Sequence, residues 1–261
     1  MAASDPPHNP CATCGACCRS YIVPVCGYDV WLISRRERLS PEDFLMACRQ
    51  QQPGLDGFHL QHAGPGYGLA LDKNGPFQIK QPCVFLVRLN DGHERCGIYD
   101  HRPVVCQGYP MAMWSGQVFQ RSESLCPPGA WPLPAVLRPS WRTAIQRFYM
   151  YMDVYIAVVA RWNAWVAAHP AVEFPLPSYF NYLLNVYDRL DQLNTEVGDA
   201  ALETIRAAWP TVPRPEEDLL TAYGRPEEVP WLDYFLRAQA IIAGFYPQIP
   251  AAAQVRLAQT F

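Results

Sequence analysis

Four cysteines fall within eight residues, Cys11-x-x-Cys14-x-x-Cys17-Cys18, and four more, Cys83, Cys96, Cys106 and Cys126, follow at intervals. Thiols at this density rarely serve packing; as thiolates they hold zinc or the iron of an iron–sulfur cluster. Spacings of two residues let a tight loop direct several sulfurs at one centre while its backbone amides face them. The C-x2-C-x2-C register is the opening run of bacterial ferredoxin ligation, whereas a zinc knuckle needs only C-x2-C and a distant pair. The additional cysteine tilts the reading toward iron–sulfur. Cys126 is followed by Pro127, as the last ferredoxin ligand is, and is the best candidate to complete the first site.

Neighbouring side chains on an extended chain point to opposite sides, so Cys17 and Cys18 are expected to face apart. Two adjacent sites then follow, with Cys11, Cys14 and Cys17 facing one, Cys18 facing the other, and the four distal cysteines completing both. A single polynuclear cluster that uses some of the eight thiols is the other solution. Cys26 and Cys48 sit in apolar contexts and read as buried small hydrophobes. His93 and His101 fall among the distal cysteines; each reads as a polar turn residue, with replacement of one thiolate as the functional alternative. Arg102 could donate to a sulfide or bound anion, or pair with Asp100 or Asp29.

The whole chain narrows the setting for this chemistry. Half of its 261 residues are hydrophobic, enough for a core that does not depend on cysteine staples. A net charge of −3, with 17% charged residues, argues against nucleic acid, whose phosphates call for a basic face. Residues 1–10 lack the basic start and apolar stretch of a secretory signal. The most apolar region, Tyr149 to Ala168, is interrupted by Asp153, Arg161 and Asn163 and falls short of a membrane span. A cytoplasmic location is therefore expected, where thiols stay reduced and ten cysteines favour metal over disulfides. No serine–histidine–acid set, carboxylate pair or HExxH run appears, and whether the protein is an enzyme stays open.

The elements that must position the thiols divide into two regions, giving an α+β reading. Residues 1–136 form a cysteine-cluster module of short strands and helices; residues 137–261 contain no cysteine and read as helical. Gly27 to Arg38 reads as a short helix. Ser40-Pro41-Glu42-Asp43 has the form of a second helix start, with Phe44, Leu45 and Cys48 on its buried side. Tyr67 to Asp72, Phe77 to Lys80 and Val84 to Leu89 read as strands, and Asn90-Asp91-Gly92 as a turn into a return strand at Arg95 to Ile98. Asp100 to Pro103 starts another helix that carries Cys106. Gly64-Pro65-Gly66-Tyr67-Gly68 reads as a surface loop, since the strand and helix of a phosphate loop are missing. Ile145, Phe148, Met152, Tyr155, Val159, Trp162 and Val166 keep a helical period. Further helices are expected at Ser178 to Glu196 and Pro230 to Phe245. The stripe of Tyr149, Tyr151, Tyr155, Trp162 and Trp165 reads as core, with Tyr151 and Trp165 turned toward a partner.

The run Cys14-Gly15-Ala16-Cys17-Cys18-Arg19 resembles the signature of the cysteine-cluster (CxxCxxCC) family, the YkgJ-type zinc- or iron-chelating domain proteins of bacteria. Asp29 to Cys48 is similar too, as are Pro82-Cys83-Val84-Phe85-Leu86, Cys96-Gly97-Ile98-Tyr99-Asp100-His101-Arg102-Pro103-Val104-Val105-Cys106 and Tyr109-Pro110. Gln107 departs from the arginine usual in that family. The resemblance covers about the first half of the chain. It implies a cytosolic module with metal ligands at the eight cysteines, Cys11 to Cys18 and the distal four. Some longer relatives, resembling flagellin lysine N-methylases, carry the same module. Three functions are thus expected, in order. The first is an iron–sulfur protein for electron transfer or a cluster-dependent modification, with a redox or substrate protein as partner. The second is a zinc-binding structural or interaction protein, and the third a protein methylase-like enzyme. Neither nucleic acid nor membrane is expected as a partner.

Overall fold

The structure is a computed structural model that describes residues 14–52, 54–74, 81–114, 117–126, 130–131, 138–198 and 229–247. Cys11 and the strand expected at Phe77 to Lys80 lie outside the described residues.

A five-residue helix, α1 (Ala16–Ser20), precedes the longer α2 (Gly27–Glu37). The Asp29 carboxylate reaches back to accept the Cys26 backbone N–H at 3.0 Å, which caps the start of α2, and Arg38 ends it in the left-handed region at φ 57°. Val30 and Ile33 turn inward. Ser40 then does begin a helical turn, but it lasts only from Pro41 to Asp43, with Asp43 accepting from the Ser40 amide at 2.8 Å and hydroxyl at 2.9 Å. The expected helix beyond it is corrected to a strand, β1 (Leu45–Arg49), which carries Cys48. Pairing outweighs the local start signal: β1 runs antiparallel to β3 (Gly66–Leu71), from Leu45 opposite Leu71 to Arg49 opposite Tyr67. Beside β3 lies β2 (Phe58–His59), giving the order β1-β3-β2. Of the expected Gly64–Gly68 loop, Gly66, Tyr67 and Gly68 therefore belong to a strand.

The distal cysteines ride on smaller pieces. A hairpin pairs β4 (Leu86–Arg88) with β5 (Glu94–Cys96), turning at Gly92, whose φ of +85° favours glycine. The short α3 (Val104–Gly108) follows, and then a hairpin not anticipated from the sequence, β6 (Met111–Trp114) with β7 (Gln117–Gln120). Three longer helices complete the described chain: α4 (Arg138–Ala168), α5 (Leu176–Val197) and α6 (Val229–Ala243). The architecture is α+β, small antiparallel sheets and short helices packed against a C-terminal helical region.

One hydrophobic core joins the two kinds of structure. Phe58 of β2 stacks on Tyr179 of α5 at 3.9 Å, and Trp162 of α4 meets Tyr179 edge-on at 5.1 Å. Trp162 donates its indole N–H to the His59 carbonyl at 2.6 Å, while Asn163 accepts the His59 N–H and donates to the Gly57 carbonyl. The long helix thus satisfies the free edge of β2. At Gly27 a Cβ would fall 2.3 Å from a Tyr187 ring carbon, so α2 sits directly on α5. Tyr151, expected to face outward, is instead buried and stacks on Tyr28 of α2 at 3.8 Å. Trp165 is half-buried beside His169. Among the described residues no helix is long and apolar enough to cross a membrane.

Candidate metal centre

Gly15 sets the first cysteines. It adopts φ +61°, and a Cβ there would meet the Glu94 carboxylate at 3.0 Å and Leu86 at 3.2 Å, so only glycine fits the turn into α1. Cys17 and Cys18 are consecutive residues of that helix, and their sulfurs lie 4.0 Å apart. The expectation that they face apart is corrected here: it assumed extended backbone, and on a helical turn both side chains can reach one side. Lys73 fixes the helix by donating to the Cys18 carbonyl at 3.0 Å and the Tyr21 carbonyl at 2.5 Å. The Cys83 amide also donates to the Cys18 carbonyl, at 2.8 Å, and Arg19 forms an ion pair with the largely buried Glu94. Neither Lys73 nor Glu94 carries a signal in the sequence; each acts through backbone or charge contacts with residues distant along the chain.

The distal cysteines arrive by separate supports. The Gly97 amide donates to the Phe85 carbonyl at 2.8 Å, tying the β4–β5 hairpin that bears Cys96 to the Cys83 loop. Cys106 lies in α3, whose first amide, Val104 N–H, donates to Asp29 Oδ1 at 2.9 Å. The same carboxylate therefore caps α2 and anchors the helix that presents Cys106.

Together these elements enclose a cavity of about 370 Å³. Six of the eight expected ligands line it: Cys14, Cys17, Cys18, Cys96, Cys106 and Cys126. Cys83 is buried against this group without lining the cavity, and Cys11 lies outside the described residues. The remaining wall is largely apolar and aromatic, with Ile22, Val23, Val105, Leu125, Tyr21, Tyr99, Tyr109 and Trp131. Cys26 and Cys48 are absent from it; Cys26 is buried with its thiol 3.3 Å from Asp29. His101 pairs with Glu37 at 2.6 Å, and His93 sits exposed at the hairpin turn. Arg102 lines the cavity, lies 3.9 Å over the Tyr99 ring and donates to the Tyr99 and Cys106 carbonyls, which replaces both expected acid pairings.

The thiols feel one another. Burial raises Cys83, Cys96 and Cys106, and the nearby charge of Cys17 raises each of them further. Cys17 itself is raised, first by its contact with Cys18 and then by burial. Burial also raises Cys126, with Cys17 and Cys14 adding to it. Lys73 opposes the rise at Cys83, and Arg102 opposes it at Cys96. So many thiolates in one apolar cavity are stable only against a cation, which fits a thiophilic metal, and its binding must release protons. All nine described cysteines are free thiols. They are spread around the wall: among the described residues no three metal-binding side chains are gathered tightly enough to hold a single ion.

A family model named CxxCxxCC, described as "Putative zinc- or iron-chelating domain", matches residues 10–127. No curated protein and no solved structure matches the chain.

Proposed function

We propose that residues 10–127, a domain of the CxxCxxCC family of zinc- and iron-chelating proteins, carry an iron–sulfur cluster for electron transfer or a cluster-dependent modification reaction. The observation that carries the reading is six thiols around one cavity, three of whose cysteines belong to or follow the C-x2-C-x2-C register of ferredoxin-type ligation. Cys14, Cys17, Cys18, Cys96, Cys106 and Cys126 would supply its ligands, with Cys11 and Cys83 in the same set. A cluster, when bound, supplies one-electron chemistry at a potential set by charge, hydrogen bonds and exposure. The chain supplies the rest: the apolar wall limits water, while Arg102 and Lys73 offset negative charge. The helical region, residues 137–261, would contact a redox or substrate protein in the cytoplasm; Leu236 of α6 and Tyr246 beyond it are exposed apolar side chains suited to this.

Structural zinc is the second reading, favoured by one distance. A tetrahedral zinc with Zn–S near 2.3 Å has sulfurs about 3.8 Å apart, close to the 4.0 Å between Cys17 and Cys18. Anaerobic purification followed by iron, zinc and acid-labile sulfide analysis and a visible spectrum separates the two. Stoichiometric iron and sulfide with broad visible absorption are expected. A colourless protein holding only zinc overturns the cluster.

A further inference from the structure

We propose that Asp29 is the positioning residue of the metal centre: its carboxylate, and not the packing of α3 alone, aims Cys106 into the cavity and so makes that thiol a ligand. The proposal rests on Cys106 belonging to the metal-binding set described above. A helix of five residues is too short to hold itself, so α3 takes its direction from its anchors. Its far end rests on α4, where a Cβ at Gly108 would lie 3.7 Å from Ile145. Its near end hangs on one carboxylate oxygen, since Val104 N–H donates to Asp29 Oδ1 at 2.9 Å. Cys106 lies two residues further on, and its own amide turns back to the Pro103 carbonyl at 2.8 Å. A shift of the first amide therefore carries the sulfur with it.

The other carboxylate oxygen is taken up at the start of α2. Oδ2 accepts the Cys26 N–H at 3.0 Å, and the Cys26 thiol lies 3.3 Å from it. Donors from two elements thus meet on a carboxylate that is 2% exposed. Cys26 and Val104 are equally shielded, so either amide would be left unsatisfied if Asp29 turned away, and that is costly. Burial works against the ionised carboxylate, while the Val104 and Cys26 amides and the positive charge of Arg147 favour it. The α2 side of the contact is the fixed one. Gly27 lies under the Tyr187 ring, Tyr28 stacks on Tyr151, and Arg147 donates to the Tyr28 hydroxyl at 3.2 Å. Cys26, away from the cavity, thereby gains a part in the site as a donor to the group that aims Cys106.

The test is a double-mutant cycle on the metal that the purified full chain holds, iron or zinc, read as its rate of release to excess chelator. Asp29→Asn keeps the shape but turns one oxygen into an N–H donor, so either Val104 or Cys26 loses its acceptor. Release should quicken roughly tenfold, the lower end of what losing a group that orients a metal ligand costs. In a Cys106→Ser background the same change should have no further effect, whereas in a Cys126→Ser background the acceleration should persist. A fold that is merely destabilised would quicken release in both backgrounds alike. Val104→Pro serves if Asp29→Asn does not fold: proline is well tolerated at the first position of a helix, and it removes the N–H that Asp29 accepts. A second measurement needs no metal. In the reduced, metal-free chain either variant should speed alkylation of Cys106, read site by site by mass spectrometry, and leave Cys96 and Cys126 unchanged. Equal acceleration of release with and without Cys106, or unchanged Cys106 alkylation in both variants, overturns the proposal. A zinc-only protein would overturn the cluster reading and leave this result standing; iron and sulfide in a chain indifferent to Asp29 would do the reverse.

Discussion

Cys17 is the thiol that the distal cysteines have in common as a neighbour. It is the thiol whose charge is felt by Cys83, Cys96, Cys106 and Cys126 alike, and it touches Cys18. Serine at Cys17 should therefore cost more bound metal than serine at Cys96 or Cys106, as measured by metal analysis of each variant. Because both sulfurs of the pair face one cavity, Cys17→Ser and Cys18→Ser should lose the same metal population rather than different fractions. Loss of two distinct fractions would restore the two-site arrangement. Cys26→Ser and Cys48→Ser should retain the full complement. Their place away from the cavity was legible in the sequence from apolar context, although Cys48 is half-buried on β1 rather than buried. The facing of Cys17 and Cys18 was not, because it turns on whether Gly15 starts a helix, and that depends on Glu94 and Leu86 being close by.

At the scale of elements, Asp29 ties α2 to α3. It accepts from Cys26 and from Val104, and burial lifts its carboxyl to about 6, against the usual carboxylate range. The folded value lies above the unfolded one, so between about pH 4 and 6 the folded chain holds a proton that the unfolded chain releases. Stability of the metal-free protein should fall as pH rises through that window, by on the order of 3 kcal/mol, and then level off. Urea unfolding at a series of pH values should show this slope, and Asp29→Asn should flatten it. The helices themselves were readable from apolar periodicity: α4 and α5 cover the expected stretches. Strand β1 was not, since Ser40-Pro41-Glu42-Asp43 is a sound helix start and only pairing with β3 redirects the chain after one turn. The β6–β7 hairpin escaped for a related reason. Met111 to Trp114 and Gln117 to Gln120 lack strong alternation, and Met111 and Val118 pack onto Ile145 of α4 rather than forming a face of their own.

Across the whole molecule, Trp162 joins the helical region to the sheet. It is fully buried, contacts Phe174, Tyr179 and Tyr182, and donates to β2 through His59. Trp162→Ala should cost about 3–5 kcal/mol in chemical denaturation. Trp162→Phe, which removes the N–H and part of the ring, should cost less. If the core acts as a unit, both should lower the single transition seen by far-UV circular dichroism and by thiol accessibility; two separated transitions would refute that. The continuity of this core from Val25 and Val30 to Ala238 and Ile242 has a further result. Any ion that favours only the folded state adds its binding energy to the entire assembly, about 4 kcal/mol at a thousandfold excess over its dissociation constant. Starvation for that ion would then weaken distant helices that never touch it. The chain's survival against proteolysis would follow the supply of metal in its surroundings.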